Sequence, residues 1–423
     1  MKMTTLFFNV TCALFVLTFS ARAVAEDSMQ IRWCATWPAG FSDSGYGEDY
    51  FSEPGINHRP ASYAWATVRD VDDDTDVWEG NLDRYGCTPF LSLKGYNLYR
   101  LSQATMVSRG EREIYIQEAG TRTGTRTYRW YHTDYRTSGI PIFPASITHT
   151  SYIPWLSGHT NLSSVAGHIL DRADVLRIPD SMFTTVKNDE HCVAAYFDGA
   201  ETIFVDPSYN GVPLSNWKFI FAHEFGHRIE KEIGGPKTHV YDLPRDFPPH
   251  SYLCTCDHLT CGDDRCLIRK HCIQSLENTG AAQNEGWGHF FAAVTFNDRD
   301  PSSCSFPYYK DVMDEYGVHH RAPYPIDCAD VDSRWVDTHC PFEDRDVGSE
   351  RDWLVFLWAL YNEGFEIEEL SAIWNLVTTY DENVGETWDS LLAAVGSIYS
   401  TTSTEYDTFR SLGAAAGVDN YTP

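Results

Sequence analysis

The sequence predicts a multidomain chain. An N-terminal β-sandwich is expected over residues 26–140, followed by an α+β domain over residues 141–423 with a mainly helical C-terminal part. Three observations carry this. Short apolar-alternating runs, separated by Gly, Asp and Asn, fill residues 30–120, the pattern of half-buried strands joined by turns. Helix-period apolar spacing takes over from residue 162 and again from residue 349,. The chain has 423 residues, 43% hydrophobic and 14% aromatic, which is long enough for more than one core and excludes a disordered or collagen-like chain. Its formal charge of −28 would be repelled by phosphate backbones, so no nucleic-acid partner is expected.

Residues 1–25 combine Lys2, an apolar stretch from Leu6 to Phe19 and the small-x-small site Ala23-Val24-Ala25. This is the pattern of a secretory signal peptide cleaved near Ala25. The expectation is a secreted chain, extracellular or periplasmic. No later run is apolar enough to span a bilayer, so no stable membrane insertion is expected. Cleavage would leave eleven of the twelve cysteines. An oxidising compartment would pair most of them, with one left over.

Strands are expected at residues 30–34, 63–68, 90–93, 96–99 and 113–116. Cys34 and Cys87 are a plausible pair within them. The acidic run Asp70-x-Asp72-Asp73-Asp74-x-Asp76 places Thr75 where an EF-hand has Gly and Asn81 where it has Glu, so a solvated turn is preferred to a calcium loop. The run from Val77 to Cys87, followed by Leu93-Lys94-Gly95-Tyr96, loosely resembles small transthyretin-like sandwiches and implies no function. Residues 120–155 read as a linker or irregular strands. A helix is expected from Leu162, and a hairpin at residues 193–205 turning at Asp198-Gly199. Ser349-Glu350-Arg351-Asp352 opens a helix like a capping box, with further helices near 367–379, 387–399 and 405–415. Residues 236–280 hold Cys254, Cys256, Cys261, Cys266 and Cys272. Without a C-x-x-C they read as a disulfide-stapled insertion rather than a zinc knuckle.

The chemistry is concentrated at residues 216–229, which include Phe219-Ile220-Phe221-Ala222-His223-Glu224-Phe225-Gly226-His227. Ser215 is a reasonable N-cap, and Gly234-Gly235-Pro236 is a firm stop. On a helix, His223 and His227 share one face a turn apart, so two imidazoles can hold one zinc ion with Glu224 beside them. A chance H-E-x-x-H arises in roughly 3% of shuffled chains of this composition, so the helical context is needed to give it weight.

These residues resemble the zincin metallopeptidases. Glu230 and Ile233 stand where the metzincin branch has Gly and a third His. The better resemblance is to the gluzincin branch, through Gln283-Asn284-Glu285-Gly286-Trp287-Gly288-His289-Phe290-Phe291-Ala292-Ala293. That likeness implies Glu285 as third zinc ligand, with water in the fourth position. Glu224 would be the general base of a secreted metalloendopeptidase acting on protein or peptide substrates. Thermolysin-like enzymes carry an Asp four residues after the ligand Glu to orient the first His. Here that place holds His289, so the orienting group must come from elsewhere. His289 remains open as an alternative ligand, a transition-state donor or a packed helix residue. Tyr308, Tyr309, Tyr316, His319 and His320 are further donor candidates. The rival reading is a non-catalytic secreted zinc-binding or adhesion protein on the same scaffold. The sequence is silent on oligomeric state.

Overall fold

The computed structural model describes residues 28–38, 41–43, 58–117, 129–137, 146–152, 158–188, 195–197, 201–205, 214–236, 272–314, 316–331, 334–340, 347–377 and 387–420. The expected leader and most of the cysteine-rich insertion lie outside these residues. The fold is mixed α/β, with two main sheets and, among the described residues, eight α-helices.

The smaller sheet is built on the strand Ser28–Pro38. It runs antiparallel to His58–Pro60 and Cys87–Lys94 and parallel to Ser146–Tyr152. Ile31, Trp33, Ala35 and Trp37 all point inward and are fully buried, as the period of two along a strand requires. Cys34 faces Cys87 across the ladder and is joined to it by a disulfide.

The larger sheet has eight strands. From one edge they run Ala195–Phe197, Thr202–Val205, Ser181–Asn188, Glu111–Gln117, Leu98–Arg109, Ala64–Asp70 and Thr75–Asn81, and Trp130–Arg136 also pairs with Leu98–Arg109. Aromatic rings join the two sheets: Trp33 meets Tyr135 at 5.9 Å and Trp37 meets Tyr131 at 5.8 Å between ring centroids. The boundary expected at residue 140 does not divide this sheet, because Ser181–Asn188 pairs in parallel with Glu111–Gln117. A parallel pair is closed by a long crossover rather than a tight turn, so it leaves no local signal in the sequence. The expected hairpin is present, with Ala195–Phe197 antiparallel to Thr202–Val205. The acidic run is also a turn. The Asp70 carboxylate accepts the Asp72 and Asp73 N–H groups and the Asn97 amide, while Asp73 pairs with Lys94, and Asp74 and Asp76 pair with Arg69.

Helix α1 (Gly158–Asp171) supplies the crossover and is buried along nearly its whole length. Gly167 allows the close approach, since a Cβ there would lie 2.8 Å from the Ser62 carbonyl oxygen. Asn161, a glycosylation acceptor by sequence, is fully buried and donates to Asn216 Oδ1 at 2.7 Å, so it is not available as one. Helix α2 (Lys218–Ile233) carries the H-E-x-x-H residues. Its expected cap is corrected: Ser215 lies in a preceding 3-10 turn, and the first N–H groups, of Lys218 and Phe219, donate to the buried carboxylate of Asp43 at 3.2 and 3.1 Å. Gly234 ends the helix at φ +96°, a conformation that favours glycine.

Helix α3 (Thr279–Phe296) carries Glu285 and is buried at every position except Asn284, as expected for a helix apolar on all faces. Helix α4 (Trp335–His339) is short, and its first N–H groups donate to the Asp352 carboxylate. Helix α5 (Glu350–Asn362) starts at the expected Ser349 cap, whose hydroxyl accepts the Asp352 N–H at 3.2 Å. Helices α6 (Ile367–Leu376), α7 (Trp388–Tyr399) and α8 (Thr404–Ala416) follow close to their expected positions. Cys304 and Cys328 form a second disulfide, and Cys272 and Cys340 are also disulfide-bonded. All six described cysteines are therefore oxidised, which argues for an oxidising compartment. Among the described residues no helix is long and apolar enough to cross a membrane.

Candidate metal centre

Helices α2 and α3 cross with their backbones almost in contact. A Cβ on Gly226 would lie 2.8 Å from Phe291 Cβ and 3.2 Å from Gly288 Cα. A Cβ on Gly288 would lie 2.7 Å from His223 Nδ1 and Cε1 and 3.0 Å from His227 Cε1. The two glycines therefore decide how closely the helix carrying Glu285 can approach the two imidazoles.

The crossing brings three expected residues together. His223 Nε2 and His227 Nε2 are 3.1 Å apart, and Glu285 Oε2 lies 3.1 Å from the first and 3.7 Å from the second. Donors held about 2.0–2.1 Å from a tetrahedral ion are separated by about 3.3 Å, so this spacing matches a metal-ligand triangle. Ligand atoms of Glu224 join those of His223 and His227 within 4.8 Å of one another. Glu224 is 4% exposed and Glu285 is 6% exposed. The His-Glu-His group can hold a metal ion, and the donor set of two imidazoles and a carboxylate suits a divalent cation.

Electrostatics points the same way. Burial, then the neighbouring His289 and His227, depresses His223 to about 3, so its Nε2 lone pair stays available. Burial also opposes protonation of His227. Hydrogen bonds to Glu230 and Glu285, with their charges, win and raise it well above the usual histidine range. Without a metal, a proton on His227 answers the surrounding carboxylates, and a cation would take over that role.

Outside the triangle, Glu230 Oε2 lies 3.3 Å from His227 Nδ1, and Glu230 Oε1 accepts the Asn284 amide at 2.8 Å. This orienting contact fixes the ring with Nε2 facing the centre. It escaped the sequence reading, although its spacing three residues after His227 was visible there. Burial carries the Glu230 carboxyl up to about 7, against the lowering effect of His227.

His289 is not in the ligand triangle. It is fully buried, and its Nε2 lies 2.7 Å from Glu350 Oε2. Its ring packs behind His223 at 4.4 Å between centroids. With its Nε2 held by Glu350 and its ring fully buried, His289 is placed as a packed helix residue more readily than as a ligand or a transition-state donor. Among the other donor candidates, Tyr309 sets its ring edge-on to His223 at 6.2 Å. The Tyr308 hydroxyl accepts the Ile273 N–H, Tyr316 is exposed, and His319 and His320 face Asp311 and Asp314. Glu350 and Glu277 could not be assigned from sequence, because they reach the site only through folding.

No protein-family profile and no curated protein matches the chain.

Proposed function

We propose that the protein is a secreted zinc-dependent metalloendopeptidase of gluzincin type, with His223, His227 and Glu285 as zinc ligands and Glu224 as general base. The observation that carries this reading is the convergence of the His223, His227 and Glu285 ligand atoms from two helices at near-tetrahedral spacing, with the Glu224 carboxylate adjoining the two histidines on α2. Zinc bound there supplies Lewis-acid chemistry: it polarises the scissile carbonyl and lowers the pKa of water.

The residues of the chain do the rest. Glu224 accepts a proton from the attacking water as its oxygen adds to the carbonyl carbon. It then returns that proton to the leaving amine as the C–N bond breaks. Its burial keeps the carboxylate out of bulk water, which strengthens the hydrogen bond it makes. Tyr309 is the candidate donor to the oxygen on which charge develops. Among the described residues the edge strand Ala195–Phe197 has one neighbour in its sheet, and its outer edge suits pairing with an extended peptide,.

The rival, a non-catalytic zinc-binding or adhesion protein, is disfavoured by the presence of Glu224. That residue is not needed to hold the metal. Metal analysis combined with cleavage mapping on a mixed peptide library, with and without chelator, tests the reading. Glu224→Gln is expected to keep the zinc and lower turnover by about two to four powers of ten. A Glu224→Gln protein with full zinc and near-normal cleavage removes Glu224 as the base.

A further inference from the structure

Arg228 follows His227 on α2, and its side chain is only 2% exposed. A guanidinium is all donor and no acceptor, so at that depth it has to be met by oxygen atoms. Three groups meet it among the described residues. Nη1 pairs with the Glu232 carboxylate, one turn further along the helix. Nη2 donates to the Phe183 carbonyl oxygen at 3.3 Å and faces the Glu201 carboxylate at 3.6 Å.

The last two belong to the larger sheet. Phe183 lies two residues before Thr185, where the parallel ladder between Ser181–Asn188 and Thr202–Val205 begins. Glu201 immediately precedes Thr202, and its carbonyl oxygen accepts the Thr185 N–H at 3.0 Å. Its backbone holds φ +47°, a conformation that residues with a Cβ seldom adopt. Nη2 of Arg228 therefore bridges the two strands where their ladder opens. Glu201 also stands between the edge strand Ala195–Phe197 and its hairpin partner Thr202–Val205. Helix α2 lies against both strands of that hairpin.

Neighbouring residues of a helix point about 100° apart. On one turn of α2, His227 faces His223 and Glu285, while Arg228 faces the sheet. A single stretch of backbone thus connects the ligand triangle to the hairpin. Apolar burial alone is non-directional. A guanidinium shared between a carbonyl and a carboxylate fixes position and angle as well.

We propose that Arg228 is a positioning residue for the substrate: it holds the edge strand Ala195–Phe197 in place relative to the metal, so that a peptide paired along the outer edge presents its scissile carbonyl to the ion. The inference rests on the peptidase reading above and assigns how strand and metal are kept in register. Arg228 touches neither the bond that breaks nor the metal. Without it the substrate has to order the hairpin as it binds, which weakens binding and leaves the bond-breaking step alone.

The test is steady-state cleavage by the full chain, with zinc content measured on the same samples. The substrate is a peptide of about eight residues, long enough to pair along a strand, built on a cleavage site mapped from the peptide library. Arg228→Met keeps an unbranched apolar stem and removes the donors. It is expected to raise KM about tenfold, with kcat within about twofold and zinc content unchanged. Arg228→Lys keeps the charge without the fork and is expected to fall between the two. An unchanged KM in Arg228→Met overturns the proposal. So does a joint loss of zinc and kcat, which would make Arg228 a support of the metal centre. If Arg228→Met does not fold, Glu201→Lys decides, because Glu201 is half exposed and the new side chain sets a like charge against the guanidinium. A raised KM with full zinc is expected there, and an unchanged KM overturns the proposal. An unaltered protein that holds zinc and cleaves no peptide overturns the peptidase reading, and this inference with it.

Discussion

Carboxylates are crowded in two places, and the two crowds are settled differently. At the turn of residues 70–76 they are mostly exposed, and each has a cation or N–H groups of its own: Arg69, Lys94, Arg136, Asn97 or turn backbone. Between helices α2, α3 and α5, Glu230, Glu277, Glu285 and Glu350 are all at most 7% exposed. Their contacts include imidazoles, the Ser275 hydroxyl, the Asn284 amide and one another. Both groups look like plain acidic residues in the sequence. The difference teaches that a dense surface run neutralises itself locally, whereas a buried group retains a demand for positive charge that a bound cation could meet.

Removing a buried carboxylate that faces the ion should break this contrast most sharply. Glu285→Ala is expected to weaken zinc binding by several powers of ten and to abolish cleavage, because two imidazoles alone rarely retain zinc. Isothermal titration with zinc measures this, and retained affinity would put the third ligand elsewhere. Glu230→Gln acts one layer out. It leaves an amide near His227 Nδ1 and is expected to cost about 10–100-fold in zinc affinity, read by the same titration.

A smaller effect separates the groups by pH. Asp352 is buried, and burial raises it to about 6 despite the Val336 and Trp335 N–H groups that donate to it. Between its unfolded value of 3.8 and 6, the folded chain holds more protons at this group than the unfolded chain does. Its contribution is therefore present below about pH 4 and is lost as pH rises, at up to about 1.4 kcal/mol per pH unit. Asp70 is opposite in sign. Burial opposes the shift, but Asn97, the turn N–H groups and Tyr99 lower it. Its contribution is present above pH 3.8 and is lost as pH falls. Urea unfolding of Asp352→Asn and Asp70→Asn from about pH 2 to pH 7 should show pH dependences of stability changed in opposite directions, and equal changes would contradict the contrast. The smallest effect belongs to Asp74→Ala. It removes an exposed partner of Arg69 and should leave the unfolding midpoint unmoved.

Much of the fold was legible where its cause is local. Alternation along residues 28–38 and 64–70 and the Ser349 cap were readable from neighbours in the chain. So were the helix carrying His223, Glu224 and His227 and the glycine stop at Gly234, because strand period, helix period and capping act over a few residues. Glu285 was reached through resemblance. The sheet continuing from Glu111–Gln117 to Ser181–Asn188 was missed, because parallel pairing spans a long crossover,. Asp43 was not anticipated as the cap of α2. It acts across 175 positions of sequence, while the chain beside the helix contributes only the uncapped Trp217.

The division at the site has the same origin. By itself the sequence determined that two imidazoles and a carboxylate stand on one helix with spacing suited to a metal, since 3.6 residues per turn makes that spacing a local property. Only the tertiary structure decided that Glu285 closes the triangle, that Glu230 holds His227, and that His289 stands behind His223 with Glu350. Each of these depends on how close two helices can come. That distance is set by the contact of Gly226 with Gly288 and Phe291, and of Gly286 with Trp353, and an interhelical distance has no period along the chain.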